Sequence, residues 1–538
     1  AVYNTFTQKK AEILSELMAQ LQNENAPAYK DLSKEMKAYM DYICDTLLKQ
    51  TTGILMSDKI EAEDETQIAW ATQETISLNR YLNYAISKNW IDTSKLGDSA
   101  YSSSEEIYSG VLAYLEEYLK EDSNFDKLLY KYLIKSGSVT GAQICAIVYE
   151  QGVLPMDENA YNGLLNGTTD AYGWLYDKIK TLQITPGQLA LEPCSGGIVV
   201  TDPNSGDVLA CVSYPGYDNN RIGDSAYFSQ LQNDLSLPLY NNATQAKKAP
   251  GSTFKPLTAV AALEEHVIGI DDTIECTGRY EEIDTPIKCW IYPGRHGPLN
   301  MVGGLLNSCN FFFADLGHRL SMDAEGNYVP SLGLDKLHKY AAMFGLDHKS
   351  GVEIDELEPQ ISDIDPERSA MGQGNHAYTN VQLSRYVAAI ASRGNVFELS
   401  LLDKITDSEG NLIKDYTPEI SSHIDAADST WDTVQQGMRE VIASGTAKKL
   451  FADLEVPIAG KTGTAQEAKN KPNHAFFISY APYNNPEICV TVNIPYGYSA
   501  SNAANIAKSV YQYYYGEIDL ESILNAGARD AANVTIRD

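Results

Sequence analysis

Residues 196–214, GGIVVTDPNSGDVLACVSY, mark a change from a helical to a mixed sequence pattern. Ile198–Thr201 is a β-branched run, DPNSGD is typical of a turn, and Val208–Ser213 is a second apolar run. β-Branched residues fit strands, and Asp, Pro, Asn, Ser and Gly between two such runs indicate a hairpin. The stretch therefore predicts an antiparallel β-hairpin that starts a new domain near residue 190.

Strand signals return near the end of the chain. HAFFISYA (474–481) and EICVTVNI (487–494) are typical of two strands joined by a turn. AANIAKSVYQYYY (503–515) has the spacing of an amphipathic helix, and helical patterns also run from Ser252 to about His266 and from Val302 to about Leu320. Helices between hairpins at both ends predict an α+β fold, in which an antiparallel sheet flanked by helices unites the two ends.

Residues 1–185 differ, because apolar residues recur there at helical spacing. In EEIYSGVLAYLEEYLK they form one stripe, made of Ile107, Val111, Leu115 and Tyr118. No short catalytic motif occurs in this part, so it predicts a helical spacer or interaction module. The sequence thus indicates a mostly helical N-terminal region (1–185), an α+β domain (186–520) and a C-terminal tail (521–538).

The composition limits the classes of partner. The 538 residues contain 41 Lys and Arg against 72 Asp and Glu, a formal net charge of −31. Nucleic-acid binding needs clustered positive charge, so this balance argues against a nucleic-acid partner. No run of about 18 apolar residues occurs, so no transmembrane helix is predicted within this sequence.

Residues 248–260, KAPGSTFKPLTAV, contain the first candidate for chemistry. Pro250 and Gly251 predict a tight turn, and Ser252 and Lys255 stand three residues apart at the start of a helical pattern. Residues three apart share a helix face, so the Lys255 amine can reach the Ser252 hydroxyl and act as its base. The alternative is a serine N-cap beside a solvated lysine, and this motif alone favours that alternative.

Two further segments favour the catalytic interpretation of Ser252 and Lys255 over the N-cap. LLNSCNFFFADLG (305–317) contains SxN, and PIAGKTGTAQEA (457–468) contains KTGT at the end of a short strand pattern. A lysine there supplies a fixed cation, threonines supply hydroxyls, and the glycine permits close backbone approach. SxxK, SxN and KTG in this order are the motifs of serine acyl transferases that react with penicillin. The candidate site residues are Ser252, Lys255, Ser308, Asn310, Lys461, Thr462, Gly463 and Thr464.

On these motifs the chain resembles the class B penicillin-binding proteins, the D,D-transpeptidases that cross-link peptidoglycan, and it is most similar to the elongation type. Other segments share the resemblance, namely 196–220, 239–255, 371–396 and 473–494. Asn380 departs from the family pattern, in which proline is usual. The resemblance covers residues 180 to about 515 and is less clear in the helical first third.

The resemblance implies that 186–520 is a penicillin-binding transpeptidase domain. It implies that Ser252 is the nucleophile and Lys255 its base. Ser308 would relay a proton to the departing D-Ala amine, Asn310 would hold the substrate amide, and Lys461 would be the cation that orients this network. Thr462 and Thr464 would supply hydroxyls for the carboxylate of the substrate or of a β-lactam. The implied oxyanion hole consists of the backbone N–H groups of Ser252 and Thr464. An amine of a neighbouring stem peptide then attacks the acyl-enzyme, and this chemistry implies no cofactor.

The resemblance also implies partners and a location. The expected partners are peptidoglycan stem peptides, β-lactam antibiotics and, by family analogy, a membrane glycosyltransferase of the elongation machinery. The site is expected to work outside the cytoplasmic membrane, held there by an anchor that this sequence does not contain.

Cys276 and Cys289 bracket a short polar segment, and His296 follows shortly after. A disulfide, a metal site and two free thiols all stay open, because two cysteines and one histidine leave a fourth ligand unassigned. Some elongation-type relatives carry a zinc site in this region, but the spacing here does not establish one, so no metal is predicted. Cys309 is the middle residue of SxN, which should point away from the cleft, so we expect it to pack and not to react.

Other activities use the same triplet. A β-lactamase or sensor-type domain hydrolyses or holds the drug. The motifs are separated by 308 − 252 = 56 and 461 − 308 = 153 residues, and the second separation is long for a compact lactamase domain and suits a penicillin-binding protein. A D,D-carboxypeptidase would use water as the acceptor. A non-catalytic cell-wall scaffold is an alternative of a different class, and the intact triplet argues against it.

Overall fold

A computed structural model describes residues 2–96, 103–181, 183–189, 191–234, 236–416, 419–467 and 471–525. The chain divides into two compact units, Ala1–Asp177 and Lys178–Asp538. Residues 526–538, most of the predicted C-terminal tail, lie outside the described residues.

The first unit is helical. The α-helices up to residue 180 are α1 (Val2–Gln22), α2 (Lys34–Asp41), α3 (Glu65–Ala71), α4 (Leu78–Ser87), α5 (Ser104–Glu121), α6 (Ser123–Lys135), α7 (Gly141–Glu150), α8 (Glu158–Asn166) and α9 (Ala171–Lys180). A π-helical segment, Tyr42–Thr51, follows α2. In α5, Val111, Leu115 and Leu119 are buried at four-residue spacing, so one stripe of the helix faces the core.

The second unit mixes helices and strands. In chain order its elements are β1 (Gly196–Thr201), β2 (Val208–Tyr214), α10 (Ser225–Asn233), α11 (Lys255–Glu264), β3 (Ile274–Cys276), β4 (Arg279–Tyr280), β5 (Ile287–Lys288), β6 (Gly297–Leu299), α12 (Met301–Leu306), α13 (Asn310–Leu320), α14 (Pro330–Met343), α15 (Pro366–Ser369), α16 (Asn380–Ala391), β7 (Asn395–Phe397), β8 (Lys404–Thr406), β9 (Leu412–Asp415), β10 (Ile420–His423), α17 (Asp428–Ala443), β11 (Ala459–Ala465), β12 (His474–Ala481), β13 (Ile488–Ile494), α18 (Ala500–Tyr514) and α19 (Leu520–Asn525). Throughout the described ranges, no helix combines the length and the apolar composition that a membrane crossing requires.

A five-stranded antiparallel sheet organises this unit, in the order β11-β12-β13-β1-β2. The first hairpin of the domain pairs with its last strand, with Val199 opposite Thr491. The predicted α+β class, with a sheet that unites the two ends of the domain, is confirmed. The order leaves β11, which carries the KTGT motif, at one edge of the sheet.

Strand β12 is covered on both faces and is buried along its whole length. Alternate residues enter different cores, because successive side chains of a strand point to opposite faces. Phe476 and Ile478 join the larger core with α11 and α16, whereas Phe477 joins a smaller core with α18. The strand is therefore continuously apolar.

Helix α16 is buried on every side. Thr379 and Gln382 form a capping box at its start, which satisfies two backbone N–H groups there. Asn380, the residue that departs from the family pattern, donates from Nδ2 to the carbonyl of Thr491 at 3.0 Å. Its amide therefore ties the helix start to β13, a bond that proline could not make.

Candidate active site

The serine turn, which we define as residues 250–254, carries Ser252 into α11. It is a 3-10 turn over Gly251–Phe254, and Ser252 is 4% exposed. Lys255 is the first residue of α11, and Phe254 stands at the N-cap without a side-chain hydrogen bond. Ser252 does not cap the helix, so the serine-cap alternative is wrong.

Two glycines let other segments approach the serine turn. Gly251 has φ +54°, and a Cβ there would lie 2.7 Å from the carbonyl oxygen of Thr464. The N–H of Gly251 donates to the carbonyl of Gly372 at 3.0 Å. A Cβ on Gly372, at φ +77°, would overlap the carbonyl of Gly251. The turn is therefore held between β11 and the MGQG segment (371–374).

Lys255 is fully buried and points at the SxN motif. Its Nζ donates to the carbonyl of Ser308 at 2.8 Å and to Oδ1 of Asn310 at 2.7 Å. The hydroxyl of Ser308 lies 3.2 Å from the same nitrogen. A buried lysine needs such partners, because an amine without hydrogen bonds is costly to remove from water.

Ser308 lies in a break between two helices. The predicted single helix from Val302 to about Leu320 is wrong, because α12 ends at Leu306 and α13 begins at Asn310. Ser308 has φ +48°, a left-handed conformation that is uncommon for residues with a side chain. Cys309 then caps α13, since its Sγ accepts the N–H of Phe312 at 3.4 Å. This cap stabilises the start of α13, and the break between the two helices exposes the carbonyl of Ser308 to Lys255.

The KTGT motif lies within β11. Lys461 is fully buried, and its Nζ lies 2.8 Å from Oγ of Ser308 and 2.9 Å from the carbonyl of Thr462. A Cβ on Gly463 would lie 2.6 Å from Cγ2 of Thr253, so the glycine lets the strand contact the serine turn. Oγ1 of Thr462 lies 3.3 Å from Oγ1 of Thr446, a residue that the sequence interpretation did not single out.

The structure thus brings the three motifs together. The hydroxyl of Ser308 lies within hydrogen-bond distance of two lysine amines, those of Lys255 and Lys461. The serine turn and Thr464 meet at Gly251, since a Cβ on Gly251 would lie 2.7 Å from the carbonyl oxygen of Thr464. A hydroxyl between two amines can pass a proton, and adjacent backbone N–H groups can stabilise an oxyanion.

A second cluster borders this site. Cys276, Cys289, His296 and Cys309 each present a ligand atom, and these atoms lie within 4.8 Å of one another. Sγ of Cys276 and Sγ of Cys289 each lie 3.6 Å from Nδ1 of His296, and Sγ of Cys289 lies 3.8 Å from Sγ of Cys309. A tetrahedral zinc ion, with Zn–S about 2.3 Å and Zn–N about 2.0 Å, sets its ligand atoms about 3.5–3.8 Å apart. The spacing fits such an ion.

The surroundings of the sulfurs also fit a metal. Hydrogen bonds from the Cys309 thiol, His296 and the backbone N–H groups of Phe311 and Ile291 lower the pKa of the Cys289 thiol, which favours its thiolate form. All four cluster residues are buried or half-buried. Cys309 is completely buried in the core, and its sulfur is also placed to supply the fourth donor that the sequence left unassigned.

The comparisons with known proteins agree with this arrangement. Residues 196–512, more than half of the chain, match the family profile described as the penicillin binding protein transpeptidase domain. Peptidoglycan D,D-transpeptidase MrdA of Haemophilus influenzae is 32% identical over 61% of this chain and 54% of that protein. The Escherichia coli K12 protein of the same name is 29% identical over 59% of this chain and 53% of its own length. The chain thus spans about half the length of these relatives.

Solved structures give the same result. Pseudomonas aeruginosa PBP2, determined in complex with WCK 5153, has a TM-score of 0.53 and 30% identity, over 61% of this chain and 73% of that chain. A chain from a structure of a peptidoglycan synthase complex that coordinates polymerization and crosslinking has a TM-score of 0.54 and 27% identity, over 61% of this chain and 57% of that chain. The chain belongs to the penicillin-binding protein transpeptidase family and, within it, to the class B proteins of the elongation type.

Proposed function

We propose that the chain is a serine-type D-Ala-D-Ala transpeptidase, which cross-links peptidoglycan stem peptides through an acyl-enzyme on Ser252 and is acylated there by β-lactams. One observation carries the proposal: the buried hydroxyl of Ser308 lies between the amines of Lys255 and Lys461. A structural serine does not need two buried lysines, whereas a proton relay does.

Acylation begins at Lys255. In this proposal the neutral amine of Lys255 acts as the base. Lys255 donates to the carbonyl of Ser308 and to Oδ1 of Asn310, which hold the amine in the site, and its lone pair takes the proton of Ser252. The Ser252 oxygen then bonds to the carbonyl carbon of the penultimate D-Ala.

The resulting oxyanion is stabilised by the backbone N–H groups of Ser252 and Thr464. When the intermediate collapses, the C–N bond to the terminal D-Ala breaks, and the leaving amine takes a proton through the hydroxyl of Ser308. Lys461 holds that hydroxyl in place at 2.8 Å. The acceptor amine then attacks the ester carbonyl, the bond to the Ser252 oxygen breaks, and the proton that the amine loses returns along the same relay to Ser252.

The donor peptide pairs along β11. Because this strand lies at the sheet edge, an extended peptide can add to it, as in β-strand addition generally. Thr462 and Thr464 bind the terminal carboxylate of the donor through their hydroxyls, and Asn310 holds the preceding amide.

Cys276, Cys289, His296 and Cys309 would hold a structural zinc ion. Such an ion would link the loops around β3 and β5 to the SxN motif, and it supplies no step of the acyl transfer. Through Cys309 the cluster fixes the backbone between Ser308 and Asn310, and so it keeps both side chains turned toward Lys255.

The location and the partner of the protein are inferred from its relatives. The site works outside the cytoplasmic membrane in a membrane-associated protein, and a glycosyltransferase that polymerises the glycan is its partner, as the relative in a peptidoglycan synthase complex supports. Residues 186–520 form the transpeptidase domain, and residues 1–185 form an interaction module.

Product analysis tests the reaction. The protein is incubated with a D-Ala-D-Ala donor peptide and a stem-peptide amine acceptor. We expect a cross-linked product that requires Ser252. Hydrolysed donor without any cross-linked product would show a D,D-carboxypeptidase, and rapid turnover of penicillin would show a β-lactamase.

A further inference from the structure

We propose that Lys248 and Glu467 form a subsite for a zwitterionic side chain of the acyl donor, one that ends in an ammonium and a carboxylate on the same carbon. The inference rests on the proposed function, because the subsite lies at the end of the strand along which the donor would pair. A zwitterion would replace the one ion pair between these residues with two, one to each of them.

The subsite lies a short distance from the reaction centre. Glu467 follows Thr464 by three residues, which an extended chain spans in about 10 Å. Lys248 precedes Ser252 by four residues and forms an isolated antiparallel bridge with Tyr378. Its Nζ lies 2.8 Å from Oε2 of Glu467. The ion pair therefore joins the segment that enters the serine turn to the end of the donor-binding strand.

His474 fixes the orientation of the Glu467 carboxylate. Its Nδ1 accepts the backbone N–H of Tyr496 at 3.0 Å, so a neutral ring carries its proton on Nε2. Nε2 donates to Oε2 of Glu467 at 2.6 Å. Burial lowers the pKa of His474, and bonds from Lys248 and His474 lower the pKa of Glu467 to about 2. Glu467 is therefore an oriented carboxylate anion at neutral pH.

Tyr496 forms one wall of the subsite, and two lysine ammonium groups lie near its ring. Nζ of Lys248 lies 5.5 Å and Nζ of Lys471 lies 4.3 Å from the centre of its ring, which also contacts His474 at 4.7 Å. Tyr496 has φ +52°, a strained conformation that is retained mostly where the surroundings demand it. Two lysines beside one glutamate suit a ligand that carries both charges.

The pair is open to solvent as a binding site requires. The Glu467 side chain is 48% exposed and that of Lys248 is 23% exposed. Because Glu467 is about half exposed, the ion pair itself contributes little to folding stability. A ligand can therefore reach both charges without opening the core.

Penicillins with different side chains test the subsite. The probes are a penicillin whose side chain ends in an α-amino acid, its N-acetyl derivative, its carboxamide, and benzylpenicillin. Competition with a fluorescent penicillin gives the acylation rate constant of each probe for the wild type, Glu467→Gln, Glu467→Asp and Glu358→Gln. Glu358 is a matched control, since its side chain is 69% exposed and pairs only loosely with Lys349 at 3.6 Å.

The preference for the zwitterion over its N-acetyl derivative is measured within each variant, so a change in overall rate does not disturb it. We expect a preference of about three- to tenfold in the wild type and Glu358→Gln, a weaker one in Glu467→Asp and none in Glu467→Gln. We also expect the carboxamide to react more slowly than the zwitterion. A wild type that benzylpenicillin acylates but that shows no preference would overturn the subsite alone. A preference that Glu467→Gln retains would also overturn it. A wild type that no penicillin acylates would overturn the proposed function.

Discussion

Nζ of Lys461 lies 2.8 Å from Oγ of Ser308, although the two residues are 153 positions apart in the chain. One belongs to the edge strand β11 and the other to the break between α12 and α13. Both are completely buried. Their contact closes the relay that the proposed acyl transfer needs.

Removal of the Lys461 ammonium should therefore stop the relay. In Lys461→Met, which keeps the length of the side chain, we expect the rate constant of acylation by a fluorescent penicillin to fall on the order of 10²- to 10³-fold. Lys508→Met serves as the control, because Lys508 pairs with Asp453 at the surface. An equal loss in both variants would contradict the role given to Lys461.

Contact between the serine turn and the MGQG segment should be sensitive to a single methyl group. Gly372→Ala would force a Cβ against the carbonyl of Gly251, whereas Gly326→Ala, at a similar φ of +85°, meets open space. Both substitutions carry the backbone cost of positive φ, so their difference isolates the clash. We expect Gly372→Ala to lose about 1–3 kcal/mol more in the free energy of unfolding, measured by denaturant titration. Equal losses would show that the contact is loose.

Removal of the proposed zinc ion should destabilise the second unit. A strong chelator should lower Tm by about 5–10 °C, because a structural metal binds the folded state only. Cys309→Ser should lower both the zinc content, measured by elemental analysis, and Tm. Cys194→Ser is the control, since Cys194 lies outside the cluster. Full zinc content in Cys309→Ser would exclude Cys309 as a ligand.

His376 should make stability depend on acidity. Its ring packs 4.3 Å from that of Phe254 in the serine turn, and complete burial lowers its pKa from 6.5 to about 3. Between these values the unfolded chain binds a proton that the folded chain does not, so stability falls as the pH is lowered. Between pH 7 and pH 5, protonation of this residue in the unfolded chain should lower the free energy of unfolding by about 2 kcal/mol.

Denaturant titration of the wild type and His376→Gln at both pH values measures this effect. The variant should be less stable at pH 7 but should lose about 2 kcal/mol less than the wild type on acidification. Parallel losses in the two proteins would contradict the burial of a neutral imidazole.

The sequence predicted those parts of the fold that are encoded locally. Strands β1, β2, β12 and β13 have apolar runs bounded by turn residues, and each forms as predicted. The break at Ser308 was missed, because residues 302–320 contain no proline and their apolar spacing is helical throughout. Its cause is tertiary, since the cap by Cys309 and the contacts to Lys255 exist only in the folded protein.

The candidate site could be predicted from the sequence only in part. The motifs named the residues that converge on Ser308, but no local signal gives the distance between Lys461 and Ser308, because distant segments must fold first. The fourth donor of the cysteine cluster could have been predicted from the sequence. Cys309 lies 13 residues after His296, so all four donors fall within a short stretch of the sequence, 276–309.

Covalent labelling of Ser252 tests the central claim most directly. The wild type is incubated with benzylpenicillin, and the adduct is located by intact-mass and peptide mass spectrometry, with Ser252→Ala as the matched variant. We predict one penicillin per chain, attached to Ser252, and none on folded Ser252→Ala. A wild type that stays unlabelled, or an adduct that persists in Ser252→Ala, would contradict the account.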